Sequence, residues 1–191
     1  MTLGTKTLLF GVHQIFIHPL MVLIAWIILY RALPSWRELI CIFIHDWGYW
    51  GRPSLKCADG DKHPELGARM AGWLFGSAYS DFILGHSSFY IKRNKIPKSK
   101  LLAPDKYWHC IVPLWFYKCL AVPTGEFAHY RGVKHARQVS QDMAEPDFIW
   151  WARLVIVCYE KSVGRYEIDG DKLDLTPEKP DPFVYYEGRD K

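Results

Sequence analysis

Histidine and aspartate residues that could bind metal ions recur along the first 105 residues of the chain. The adjacent pair His45–Asp46 is the centre of this set, whose members are, in order, His18, His45, Asp46, His63, His86 and Asp105. Imidazole nitrogen and carboxylate oxygen suit divalent transition metals such as iron, manganese, cobalt, nickel and zinc. The set therefore predicts a transition-metal site, and its four imidazoles and two carboxylates could hold two ions.

Each histidine also has an explanation that involves no metal. A lone histidine such as His18 or His86 is more often a hydrogen-bonded core or surface group than a metal ligand. The ordered set that includes Asp46 makes metal binding the favoured interpretation. His13 competes with His18 for the first position. Three further histidines fit no ligand pattern and are interpreted as structural or surface groups: His109, His129 and His135.

The elements that must carry these residues are predicted to be helices. Leu20 to Leu33 is apolar almost all round, and Pro19 is tolerated in a first helical turn. Ser35 and Glu38 have the spacing of a capping box, so a second helix should run to about His45. Pro64 should open a third, with His63 at its edge and apolar residues at helical spacing: Leu66, Met70, Trp73 and Leu74.

The remaining helices follow from similar signals. A short helix from about Ser80 should carry His86 near its end, and a basic loop follows it. Asp105 should begin a helix that continues to Leu120 with a kink at Pro113. Two more helices are predicted over residues 126–139 and 147–163, the second with an apolar face of Phe148, Trp151, Val155 and Tyr159. No alternating strand pattern is present, which predicts an all-α bundle of about 6–8 helices over residues 1–165 and a polar tail or extended strap over 166–191.

Composition restricts the class of protein. A chain of 191 residues, half of them hydrophobic, is sufficient for one globular domain. The net charge of +4 suits a small anionic substrate but is too diffuse for duplex nucleic acid. Five widely spaced cysteines indicate neither a disulfide framework nor a zinc motif, which favours a cytoplasmic setting. The apolar run from Ile15 to Tyr30 is shorter than the roughly 20 residues of a membrane span, so membrane association is not expected, and a homodimer is compatible with the sequence.

The order of these motifs resembles the H…HD…H…H…D pattern of the HD-domain superfamily. The matching segments cover residues 15 to 120 and are His18-Pro19, Ile44-His45-Asp46-Trp47-Gly48, His63-Pro64-Glu65-Leu66-Gly67, Gly85-His86-Ser87-Ser88 and Ala103-Pro104-Asp105-Lys106. The resemblance implies a compact HD-like helical bundle. It also implies that Asp46 bridges two ions, that His18, His45 and Asp105 complete one site, and that His63 and His86 form the other.

The function implied by the resemblance is metal-dependent phosphoester hydrolysis. Asp46 and His45 would be the catalytic pair, and a metal-activated water would cleave a phosphomonoester or phosphodiester of a nucleotide, dinucleotide or cyclic nucleotide. Substrate phosphate could be bound by basic residues near the set: Arg52, Lys92, Arg93, Lys95 and Lys106. The basic loop is equally well explained as a solvated connection, and Lys106 as a structural partner of Asp105.

Two other functions fit the same residues. Some HD-superfamily oxygenases use this ligand order for a mixed-valent di-iron centre, and a phosphonate substrate would also suit the basic loop. A non-catalytic regulatory or interaction module is the third interpretation, although relatives of that kind usually lack part of the ligand set.

Overall fold

The computed structural model describes residues 1–55, 60–132 and 146–164, which contain ten α-helices and no strand. The predicted all-α class is therefore confirmed, and the number of helices is higher than the predicted 6–8. A 3-10 helix, Trp47–Tyr49, lies between α3 and α4. The helices are α1 Leu3–Phe10, α2 Ile17–Tyr30, α3 Trp36–Ile44, α4 Pro64–Phe75, α5 Ser77–Leu84, α6 Ser88–Asn94, α7 Leu102–Ile111, α8 Leu114–Thr124, α9 Glu126–Gly132 and α10 Asp147–Ser162.

The local signals predict the start of α2 and both ends of α3. α2 begins at Ile17 and has Pro19 in its first turn, but it ends at Tyr30 rather than at the predicted Leu33, because Arg31 adopts a left-handed conformation. The capping box of α3 is present, because Ser35 Oγ accepts from the Glu38 amide at 3.3 Å and Glu38 Oε2 accepts from the Ser35 amide at 2.8 Å. α3 ends at Ile44 and leaves His45 and Asp46 at its C-terminal end.

Two predicted elements are divided differently in the structure. The helix expected from Asp105 to Leu120 is two helices, α7 and α8, because Val112 is extended and Pro113 has no amide hydrogen to continue the ladder. The basic segment is not wholly a loop, since Lys92 and Arg93 lie in the last turn of α6. The later part of the helix predicted over 126–139, and the tail predicted over 166–191, lie outside the described residues.

The buried packing face of α4 is formed by small residues rather than large ones. Gly67, Ala68 and Ala71 are buried, whereas Trp73 is 85% exposed. A Cβ atom on Gly67 would lie 2.4 Å from the carbonyl oxygen of Ile44, so only glycine allows α4 to approach the end of α3 this closely. The backbone that carries His45 is thereby brought against the helix that follows His63.

One hydrophobic core joins the helices around the ligand set. α2 packs against α7, α7 against α10, and α3 against α2, α4 and α5. Trp150 and Trp151 of α10 are buried, but Phe148 and Tyr159 are exposed, so the predicted apolar face of α10 is wrong at these two positions. Large buried core residues include Trp26, Ile42, Phe82, Ile83, Trp108, Tyr117 and Trp150. None of the helices in the described part of the chain is long and apolar enough to cross a membrane.

Candidate metal centre

Five helical segments bring the predicted ligands to one place. His18 lies in the first turn of α2 and Asp105 in the first turn of α7, and these two helices pack together. His45 and Asp46 follow α3, His63 precedes α4, and His86 lies between α5 and α6. All of these residues except His63, which is partly exposed, are buried.

The first group contains His18, His45, Asp46 and Asp105. The Nε2 atoms of His18 and His45 are 3.2 Å apart. His18 Nε2 lies 3.2 Å from Asp46 Oδ2 and 3.3 Å from Asp105 Oδ1, and His45 Nε2 lies 3.5 Å from each of the same two oxygens. These four side chains are positioned to bind a metal ion.

The second group contains His63, His86 and the other oxygen of Asp46. The two Nε2 atoms are 3.2 Å apart and lie 3.3 and 3.6 Å from Asp46 Oδ1. This oxygen is buried and accepts no hydrogen bond from the described residues. Asp46 therefore turns one carboxylate oxygen to each group of histidines.

The spacing of the donor atoms fits transition-metal coordination. Metal–ligand bonds of about 2.1 Å place neighbouring donors about 3.0 Å apart in an octahedron and about 3.4 Å apart in a tetrahedron. The separations of 3.2 to 3.6 Å lie within or slightly above this range in both groups. The nitrogen-rich donor set is also the type that such metals prefer.

Backbone carbonyl groups orient three of the four ligand rings. The Nδ1 atoms of His45 and His63 are 2.7 Å from the carbonyl oxygens of Ile42 and Gly60, and His86 Nδ1 makes the same bond to Ile83. In each case the acceptor is three residues earlier in the chain. With Nδ1–H donated in this way, the lone pair of Nε2 is directed to the centre, as in protein metal sites. His18 Nδ1 is buried without a hydrogen-bond partner among the described residues.

The electrostatics of the centre favour ionised carboxylates. Burial raises the pKa of Asp46, but the imidazoles, His45 foremost, outweigh burial and hold this pKa well below its usual range. Burial is likewise outweighed at Asp105, where the Lys106 ammonium and hydrogen bonds from His18 and His45 keep the pKa low. Burial lowers the pKa of His63 to about 3. Burial also opposes the charge of His18, yet hydrogen bonds to Asp105 and Asp46 raise the pKa of His18 to about 9.

The predicted phosphate-binding residues occupy different surroundings. Lys106 Nζ lies 2.6 Å from Asp105 Oδ2, next to the first group. Arg52 Nε donates to the carbonyl of Gly48 at 3.1 Å and Nη2 to that of Lys62 at 3.4 Å, so this guanidinium holds the turn after Asp46 to the segment before His63. Lys92, Arg93 and Lys95 are exposed at the end of α6.

Lys161 of α10 is a cationic residue that the sequence patterns do not single out. Burial lowers the pKa of Lys161, and the ammonium groups of Lys106 and Lys92 lower it further. Lys161 of α10 therefore lies within electrostatic range of Lys106 of α7 and Lys92 of α6. Lys161 had no signal in the sequence because it lies far from every motif.

His13 and His63 form a partly exposed side of the centre, and Tyr49 contacts both rings. The side chains of His13 and His63 are each 14% exposed, whereas those of the ligand residues other than His63 are at most 8% exposed. The ring of Tyr49 stacks on His63 with centroids 4.4 Å apart and lies 4.8 Å from the ring of His13. His18, rather than His13, belongs to the ligand group, and His13 Nε2 lies 4.0 Å from Asp46 Oδ2.

No family model matches the chain, and neither the curated proteins nor the solved structures include a significantly similar one.

Proposed function

We propose that the chain is an HD-type phosphohydrolase that uses two divalent transition-metal ions to cleave a small phosphoester. A nucleotide, dinucleotide or cyclic nucleotide is the substrate class that we favour. The observation that carries the proposal is the position of Asp46, whose Oδ2 faces His18 and His45 while its Oδ1 faces His63 and His86. A carboxylate shared in this way suits a bridging ligand between two ions.

Different residues of the chain would have different roles in such a reaction. Two bound ions would supply Lewis acidity to the phosphoryl oxygens and lower the pKa of a water at the centre. In the hydrolysis, the water oxygen bonds to phosphorus, the bond from phosphorus to the leaving oxygen breaks, and a proton ends on that leaving oxygen. Asp46 and His45 would hold the ions, and the carbonyl-bound rings would keep the ligands fixed throughout.

The charges around the centre support an anionic substrate. Lys106 is adjacent to the first group, and its ammonium group also influences that of Lys161. Exposed cations at the end of α6, which include Arg93 and Lys95, extend this positive surface. Ammonium and guanidinium groups bind phosphate oxygens through charge-assisted hydrogen bonds.

The test is metal analysis combined with an anaerobic and an aerobic assay. The purified protein is loaded with manganese, iron or cobalt and offered a panel of nucleotides, dinucleotides and cyclic nucleotides. We expect two ions per chain and phosphate-ester cleavage that does not depend on oxygen. The double variant His45→Ala/Asp46→Ala should lose both, whereas Asp81→Asn, which changes a carboxylate of α5 outside the centre, should retain both.

Other results would assign another function. No cleavage above that of the double variant would contradict the hydrolase proposal. Oxygen consumption with a mixed-valent iron signal would instead support the di-iron oxygenase, since the same donor set suits iron. A wild-type chain that retains no metal after gentle purification would support a non-catalytic module.

A further inference from the structure

We infer that His13 is a substrate-contacting residue of the centre and that buried Glu126 is the residue that positions it. The inference rests on the proposed function, because it assigns a further residue to the same site. Its starting point is that His13 is beside the metal-ligand set without belonging to it. His13 Nε2 lies 4.0 Å from Asp46 Oδ2, a distance too long for a hydrogen bond, and on the partly exposed side of the centre.

Glu126 determines which ring nitrogen of His13 faces the centre. Glu126 Oε1 lies 3.1 Å from His13 Nδ1, so the Nδ1–H group is directed to the carboxylate in either protonation state of the ring. Thr7 Oγ1 lies 3.0 Å from the same nitrogen and accepts a hydrogen bond from the His13 amide at 3.1 Å. Nε2 is consequently the ring atom left for a partner at the centre.

The turn between α1 and α2 is built around the Glu126 carboxylate. Glu126 is fully buried, and its Oε2 accepts from the amide of Val12 at 2.7 Å and from Thr124 Oγ1 at 3.1 Å. A Cβ on Gly11 would lie 2.1 Å from Glu126 Oε2, so glycine is needed for this approach. Burying a carboxylate is costly unless its oxygens are paired, and two of these pairings, to the Val12 amide and to His13 Nδ1, fix the segment that carries His13.

This arrangement fits a group that hydrogen-bonds an oxygen of the substrate. His13 and His63 are the two histidines beside Asp46 with partly exposed side chains, and Tyr49 contacts both rings. His13 is the one of these two histidines that lies outside the ligand groups. Its Nε2 is therefore a side-chain atom available to a phosphoryl oxygen held at the centre.

The experiment measures binding of inorganic phosphate to the manganese-loaded protein by calorimetry. His13→Gln should keep the metal content and melting temperature of the wild type while weakening phosphate binding roughly tenfold to a hundredfold, the effect of losing one hydrogen bond to a charged group. Glu126→Gln should weaken binding in the wild-type background but not in the His13→Gln background, since Glu126 acts through His13. The matched control is His109→Gln, whose ring packs against Trp108 and which should bind phosphate as the wild type does.

A second measurement does not depend on the loaded metals. In the metal-free protein, proton NMR should show an imidazole N–H signal of His13 that is hydrogen-bonded to the carboxylate, shifted by Glu126→Gln and by Gly11→Ala. Unchanged phosphate binding in His13→Gln, or independent effects of His13→Gln and Glu126→Gln, would overturn the inference and leave the hydrolase proposal intact. Phosphate binding that depends on His13 in a protein that cleaves no ester would support the inference and reject the hydrolase.

Discussion

The contact between Gly67 and the end of α3 should control whether the second metal position forms. In Gly67→Ala the new methyl group would lie 2.4 Å from the carbonyl oxygen of Ile44 and 3.2 Å from the Cα of His45. Both neighbours are backbone atoms, so no side chain can rotate away. An ordinary contact needs at least 3.4 Å, and the two helices must therefore separate by about 1 Å.

This displacement acts on one side of the centre. Because Asp46 follows α3 and His63 immediately precedes α4, separating the two helices draws His63 away from Asp46. The separation of His63 Nε2 and Asp46 Oδ1, now 3.3 Å, would approach about 4 Å, above the roughly 3.0–3.4 Å between neighbouring donors around one ion with bonds of about 2.1 Å. Overpacking should also lower the free energy of unfolding by about 1–3 kcal/mol.

The assay is elemental analysis of metal content together with thermal unfolding. We expect the wild type to retain two ions, and Gly67→Ala to retain about one and to melt roughly 3–10 °C lower. Gly72→Ala is the matched control on the same helix, because its Cβ would meet only the side chain of Ser80, at 3.3 Å. This control should keep both ions and gain up to about 1 kcal/mol from helix propensity. Full metal retention and an unchanged melting temperature in Gly67→Ala would refute the reasoning.

Three further outcomes follow from the structure. Since the pKa of His18 is raised to about 9, the metal-free ring is protonated at pH 7, and metal binding should release about one proton from it. This proton release should disappear as the pH rises through 9. Calorimetry in buffers of different ionisation enthalpy measures the release, and an unchanged value from pH 7 to about 10 would contradict the prediction. Ser35→Ala removes the side-chain cap that accepts from the Glu38 amide, so denaturant unfolding should show a loss of about 1 kcal/mol with metal content unchanged, and an unaltered midpoint would speak against the cap. Asp147→Asn removes the carboxylate that pairs with buried Arg131, and the free energy of unfolding should fall by about 1–2 kcal/mol, a result that wild-type stability in urea would disprove.

The local signals in the sequence were sufficient for the elements that deliver the ligands. Ser35 and Glu38 begin α3, Pro64 begins α4, and the ligand positions follow from these boundaries. The candidate ligands lie together around Asp46 because each motif lies at or near a helix end and these ends converge.

Features that depend on distant contacts could not be read from the sequence. Glu126 meets His13 across a separation of 113 residues, and no local pattern connects the two. The packing face of α4 could not be predicted from the sequence either. Its large apolar residues indicate one face of the helix, whereas the face that is buried contains Gly67 and Ala71. Which face of a helix is buried depends on the surface of the neighbouring helix as well as on its own, and the apolar periodicity of a sequence describes only its own surface.

The carbonyl groups that orient His45, His63 and His86 have a consequence for how the centre tolerates mutation. Because the acceptors are backbone atoms of Ile42, Gly60 and Ile83, exchanging the side chains of the two isoleucines for others that fit the core removes none of these hydrogen bonds. The orientation of these three rings is thus set by the backbone and should tolerate many substitutions of the surrounding side chains. The orientation of His13 differs, since it depends on the side chains of Thr7 and distant Glu126 and is therefore sensitive to substitution of either residue.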